Sequence, residues 1–165
     1  MERLKQWQKK QLVLDYSYSG TTAKLAEVLQ EQLGAERIKL QVTPTTFPND
    51  MFAVAAMATD QIEHDQLPAL TNQLPDLMGF DELYIGGPVW SGTVATPVRK
   101  LLQQLGDYQG IIKPFYTSSG TPGGYEQDFK QLLPGISVNV GLGLTASQLS
   151  NQMTLNQQLL SWLKN

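Results

Sequence analysis

The chain has 165 residues, room for one ordinary domain, and 41% of them are hydrophobic, which excludes a disordered or fibrous chain. Twelve basic and fifteen acidic side chains leave a formal net charge of −3 with no basic stripe, so nucleic acid is excluded as a partner. Cysteine is absent, which removes disulfides, thiolate nucleophiles, iron–sulfur clusters and cysteine-bound zinc together.

Residues 1–10 read as a polar, basic N-terminal arm, with Trp7 either a packing anchor or disordered, and residues 11–165 as a single domain without internal repeats. The first apolar run, Leu12-Val13-Leu14, is far shorter than the roughly 7–15 residues of a signal peptide or the 20 or so of a membrane span. No membrane insertion and a cytoplasmic location are therefore expected. Charged residues are only 16% of the chain, and eighteen glutamines take over part of the solvated surface.

Leu12–Tyr16 is a near-continuous apolar run, as in a strand covered on both faces. It breaks at Ser17-Tyr18-Ser19-Gly20-Thr21-Thr22, after which Ala23, Leu25, Ala26, Val28, Leu29 and Leu33 recur at helical spacing up to the stop at Gly34. Ile38, Leu40 and Val42 alternate with polar residues in a second strand, Glu36–Val42. Phe47-Pro48-Asn49-Asp50 forms a turn and cap for a helix over Met51–Ile62, in which Met51 and Met57 read as packing residues. The third strand is predicted at Glu82–Ile85, closed by Gly86-Gly87-Pro88. A helix follows with Thr96 as its cap and Pro97 in first position. Strand Ile111–Tyr116, helix Tyr125–Leu133, strand Ile136–Leu142 and a helix near Leu155–Leu163 complete the chain.

Strands separated by helices imply an α/β fold with a parallel sheet and helices on both faces. Ligands of such sheets bind beyond the C-terminal strand ends, so three loops matter. The first, Ser17–Thr22, joins a strand to a helix N-terminus, where unpaired N–H groups and the dipole favour an anion. Four of its six residues carry small hydroxyls and none is basic, which suits a terminal monophosphate. GxGxxG and GxxxxGK[ST] are both absent. The second, Gly86–Thr93, is expected to hold Trp90 at the surface as a plate for a planar ligand. The third, Thr117–Gly124, offers hydroxyls and backbone amides without a carboxylate. Read singly, each loop has a plain structural alternative (a cap and turn, a Trp folded over the sheet end, a flexible loop); together they suit a planar, phosphorylated cofactor.

With these residues in place the chain resembles a short, single-domain flavodoxin. Ser17, Ser19, Gly20 and Thr22 match the family's phosphate loop, [ST]-x-[ST]-G-x-T. Gly86, Pro88 and Trp90 match its G-x-P-x-W segment, and Thr117-Ser118-Ser119-Gly120 resembles its third flavin loop. Trp162-Leu163 and Phe47-Pro48-Asn49-Asp50 also fit, so the likeness runs from about Leu12 to Leu163. The resemblance implies a three-layer, doubly wound, five-stranded parallel sheet in strand order 2-1-3-4-5, FMN as cofactor, and single-electron exchange with redox partner proteins. Ser17, Tyr18, Ser19, Gly20, Thr21 and Thr22 would then hold the phosphate. Pro88, Val89, Trp90, Ser91, Gly92 and Thr93, with Thr117, Ser118, Ser119 and Gly120, would border the flavin ring. The chain departs from the family at Ser91, where many short relatives carry a second aromatic, and in lacking carboxylates in the second and third loops. Both departures weaken the case for a low-potential carrier docking on a basic surface.

Other polar residues read as structural. His64 between Glu63 and Asp65 is a surface residue, no metal site is expected, and Asp81 with Glu82 reads as solvated. Asp15 is expected to hydrogen-bond the backbone of the phosphate loop. Three readings stay open: an FMN-binding electron carrier, an NAD(P)H-dependent FMN or quinone oxidoreductase, and a flavin-free interaction module. Of the three arginines, Arg3, Arg37 and Arg99, only Arg99 is expected near the site to meet a nicotinamide cofactor's phosphates.

Overall fold

A computed structural model describes residues 8–165, so Trp7 and most of the predicted arm lie outside the described residues. The strands are β1 (Gln11–Asp15), β2 (Glu36–Lys39), β3 (Glu82–Trp90), β4 (Thr93–Val94), β5 (Ile111–Ser118), β6 (Ser137–Val138) and β7 (Leu142–Thr145). The helices are α1 (Thr21–Leu33), α2 (Met51–Glu63), α3 (Thr96–Leu102), α4 (Tyr125–Gln131), α5 (Ala146–Ser150) and α6 (Gln152–Leu163).

The sheet runs β2-β1-β3-β5-β6, with β7 also parallel to β5 and β4 antiparallel to β3. The predicted order of the main strands holds, and the count rises from five to seven. One extra strand is β4, which folds back on the end of β3 through the two-residue turn Ser91-Gly92, both at positive φ. The other arises because the fifth position is split. Between β6 and β7, Val140 bulges to 67% exposure while the Glu126 carboxylate accepts from the Gly141 N–H at 2.7 Å. The Trp162 indole N–H donates to the Val140 carbonyl at 2.8 Å, which holds the bulge against α6.

Alternation along β1 builds the three layers. Leu12 and Leu14 enter a core with Val54 and Ala58 of α2, Val98 and Leu101 of α3, and Phe129 of α4. Val13 points the other way, into a core with Leu25 and Leu29 of α1, Leu155 and Leu159 of α6, and Trp162. Each such fully buried aliphatic stabilises the fold by about 1.5–3 kcal/mol relative to exposure.

Several local expectations hold and several do not. Helix α1 ends at Gly34, whose N–H reaches the Gln30 carbonyl at 2.8 Å, and Asp50 caps α2 by accepting from the Phe52 N–H at 3.3 Å. Strand β3, however, continues through Gly86-Gly87-Pro88 to Trp90. These glycines permit close packing: a Cβ on Gly86 would stand 2.1 Å from the Phe115 ring, and one on Gly87 would stand 2.6 Å from Val98 Cγ2. Thr96 is the first residue of α3 and fully buried, with Ala95 preceding it as cap. Strand β2 ends at Lys39, short of the predicted Val42, and α5 was not expected. Glu82 is buried and accepts from Gln11 at 2.7 Å and from Lys113 at 3.1 Å, so its solvated reading is overturned.

Candidate functional site

The C-terminal ends of β1, β3 and β5 bring the three predicted loops to one edge of the sheet, around a cleft of ≈ 460 Å³. That volume lies within the range of small-molecule sites, roughly 300–1,000 Å³. Tyr18, Ser19 and Thr21 line it from the first loop, Pro88, Val89 and Trp90 from the second, and Thr117, Ser118 and Ser119 from the third. Met51 and Ala146 line it as well, which sequence reasoning missed. Met51 follows the Asp50 cap and is 46% exposed, so it belongs to the cleft wall and not to the helix packing. A wider groove of ≈ 610 Å³ lies at the opposite edge, between the starts of β1 and β2, and takes none of the predicted residues.

The first loop is shaped by its own hydroxyls. Ser17 Oγ accepts from the Gly20 N–H at 3.0 Å, closing the turn, and Ser19 Oγ lies 3.3 Å from Thr21 Oγ1. Gly20 precedes α1 at φ +97°, and a Cβ there would meet nothing within 4 Å. The loop therefore presents open space beside the first unpaired N–H groups of a 13-residue helix. Beside it, Lys24 and Glu27 line a shallower depression of ≈ 400 Å³ shared with Ser19, Gly20 and Thr21.

The three loops are joined to one another. Thr22 and Thr117, both buried, share a hydrogen bond at 2.6 Å between the first and third. Tyr18 meets Trp90 edge-on at 6.2 Å between ring centroids, linking the first and second. Gly92 rests against Gly123, where a Cβ would come to 2.8 Å of the Gly92 Cα. The Tyr18 hydroxyl donates to the Pro48 carbonyl, which fastens the phosphate loop to the segment before α2.

Trp90 is not the exposed plate predicted for it. It is 3% exposed and held edge-on by Phe47 at 5.1 Å and Tyr16 at 5.8 Å, because β3 carries its backbone to the sheet end instead of turning out at Gly86. Its indole N–H is buried with no hydrogen-bond partner, while other parts of the residue line the cleft. Ser91, Gly92 and Thr93 form the hairpin tip and are absent from the cleft lining, with the Thr93 hydroxyl donating to the Trp90 carbonyl at 2.9 Å. Ser118 Oγ accepts from the Gly120 N–H at 3.3 Å, shaping the third loop.

No residue lining the cleft is an aspartate, glutamate, histidine, lysine or arginine. Burial, with a smaller push from Tyr18, raises the Tyr16 phenol to about 12, so it stays protonated at neutral pH. The cleft lining therefore carries no carboxylate, imidazole or amine to act as a general acid or base near neutral pH. Asp15 does not bond the loop backbone as expected; its carboxylate pairs with Arg37 at 2.8 and 3.0 Å. Arg99 is not free to meet phosphates, since it holds Asp128 at 2.5 Å and the Val94 carbonyl at 3.0 Å. His64 is exposed, as predicted, and pairs with Asp60. Among the described residues there is no cluster of three or more metal-ligating side chains. No helix among them is long and apolar enough to cross a membrane.

A family model described as flavodoxin matches residues 10–165. Among solved structures, a flavoprotein from Lactobacillus acidophilus NCFM in complex with FMN is similar at 34% identity. The match covers 87% of this chain and 97% of that one, with a TM-score of 0.77. A Bacteroides eggerthii protein is similar at 20% identity over 95% of this chain and 97% of its own, with a TM-score of 0.78. An NADH:FMN oxidoreductase in its apo form shares the fold at 16% identity and a TM-score of 0.58, over 93% of this chain and 87% of its own.

Proposed function

This chain belongs to the flavodoxin family, and from that premise we propose that it binds FMN in the three-loop cleft and passes electrons between redox partner proteins in the cytoplasm. One observation carries the reading: a neutral, hydroxyl-rich loop with open space at Gly20 and an aromatic-walled cleft converge on the same sheet edge. The residues fit the group. Ser17, Ser19, Thr21 and Thr22, with the local amides and Tyr18 beside them, hold the phosphate without a cation, as a helix N-terminus permits. Pro88, Val89 and Trp90, with Thr117 to Gly120, border the ring. Bound flavin supplies reversible uptake of one or two electrons. The protein supplies position and a cleft lining without carboxylate, imidazole or amine.

The absence of an acid–base pair in the cleft favours a carrier over an enzyme with substrate chemistry of its own. The nicotinamide-dependent reading is weakened further, because Arg99, the arginine expected to meet a nicotinamide cofactor's phosphates, is engaged in an internal ion pair, as is Arg37. The test is an absorption spectrum of the purified protein before and after incubation with FMN and desalting. Retained oxidised-flavin bands are expected, together with negligible NADH or NADPH oxidation in the presence of quinones and dyes. A protein that stays colourless after reconstitution refutes the proposal, and rapid turnover with a nicotinamide cofactor replaces the carrier with a reductase.

A further inference from the structure

Arg37 is placed to act on the phosphate loop from behind. Its Nε donates to Asp15 Oδ1 at 2.8 Å and its Nη2 to Asp15 Oδ2 at 3.0 Å. The same Nη2 donates to the Ala23 carbonyl at 3.3 Å. Asp15 is the last residue of β1 and Ala23 lies in the first turn of α1, so one guanidinium grips the chain immediately before and immediately after the loop. Its side chain is 9% exposed and that of Asp15 is 1% exposed, so this is an interior clasp. The loop's own bonds are local ones, Ser17 to Gly20 and Ser19 to Thr21. Thr22 and Tyr18 fasten it forward, to β5 and to Pro48. Arg37, on β2, ties its two flanks to each other.

We propose that Arg37 is a positioning residue for phosphate recognition, holding Ser17–Thr22 in place between β1 and α1 and so setting the preference of this site for FMN over riboflavin. The inference rests on the FMN reading above and names the residue that gives it phosphate selectivity. A lysine cannot replace the arginine: a single ammonium lacks the planar fork that spans a carboxylate and a carbonyl at once. Charge adds to the geometry. The buried Asp15 carboxylate stands at the end of β1, next to the loop proposed to take a phosphate dianion, and Arg37 pairs with it.

The experiment measures FMN and riboflavin affinities of the full chain by flavin fluorescence quenching, for wild type, Arg37→Lys and Arg37→Gln. Wild type is expected to bind FMN more tightly than riboflavin. Arg37→Lys is expected to lose about tenfold in FMN affinity while riboflavin affinity stays within about twofold, and Arg37→Gln to lose at least as much. Riboflavin carries no phosphate, so a merely structural role would weaken both flavins together, and that result overturns the inference. FMN affinity within about twofold of wild type in Arg37→Lys overturns it too, and this variant decides the matter if Arg37→Gln does not fold. A wild type that binds neither flavin refutes the FMN reading and the clasp with it, whereas a wild type that binds FMN with indifferent Arg37 variants refutes the clasp alone.

Discussion

Replacing Gly20 with valine separates the cost to the fold from the cost to the ligand. Gly20 sits at φ +97°, ψ −10°, and a Cβ there meets no protein atom within 4 Å. The folded protein thus loses only backbone energy, about 1–2 kcal/mol for an L side chain forced into a left-handed conformation and somewhat more for a β-branched one. In a domain of this size that is a fall in Tm of a few degrees, about 2–4 °C per kcal/mol. The ligand suffers more. The new isopropyl group fills the space that the phosphate needs, and a hydrogen bond to a charged group contributes about 1.5–3 kcal/mol, so losing two of them weakens FMN by more than 100-fold. The assay pairs a thermal melt with an FMN fluorescence titration. A folded variant that binds FMN within tenfold of wild type (about 1.4 kcal/mol) would refute the phosphate-loop assignment. Loss of folding altogether would refute the account of the open space around Gly20.

Thr117→Val leaves the buried Thr22 hydroxyl without its 2.6 Å partner; denaturant titration should show a loss of about 1–3 kcal/mol, with FMN weakened through the loosened loop. Burial alone would push the Glu82 carboxyl up, but hydrogen bonds from Gln11 and Lys113 and the charges of Lys113 and Lys9 hold it below its ordinary 4.5. The stabilisation from this network is therefore fully present above about pH 4.5 and disappears as pH falls through the lower folded value, a trend that Lys113→Ala should flatten. The same variant should cost about 2–4 kcal/mol at neutral pH, because it strands a buried carboxylate; stability unchanged by Lys113→Ala would count against the network. Gly86→Ala should destabilise by about 3 kcal/mol or more, since its Cβ would lie 2.1 Å from the Phe115 ring. A melt within a degree of wild type would show that this strand pair yields more readily than its packing suggests.

Periodicity carried most of the architecture. The buried run in β1, the helical spacing of α1 and the Asp50 cap were legible because each rests on contacts within one element or on the chemistry of one residue. The three loops could be placed together because parallel strands put all their C-terminal ends on one edge. Long-range packing stayed hidden. Gly86-Gly87-Pro88 looks like a strand terminator, and only the Phe115 ring and Val98 pressing on it show that the glycines serve a continuous strand. Trp90 follows the same logic: its burial depends on Tyr16, Tyr18 and Phe47 arriving from two other segments. Asp15 and Arg37 are 22 residues apart and Glu82 and Lys113 are 31 apart, and no local pattern announces either pair.

The two borders of the sheet bear on how the protein behaves when crowded. A free strand border is a template on which another chain can add itself, and long, flat, apolar borders lead to aggregation. Here one border is β2, only four residues long, with Glu36, Arg37 and Lys39 among them. The other is broken into β6 and β7, with Val140 thrust outward and the Gly141 N–H already taken by Glu126. Among the described residues, an incoming strand meets only short edges, of four residues at β2 and of two and four at β6 and β7. With a net charge of only −3, the shape of these borders, more than charge repulsion, is what opposes edge-to-edge pairing of copies.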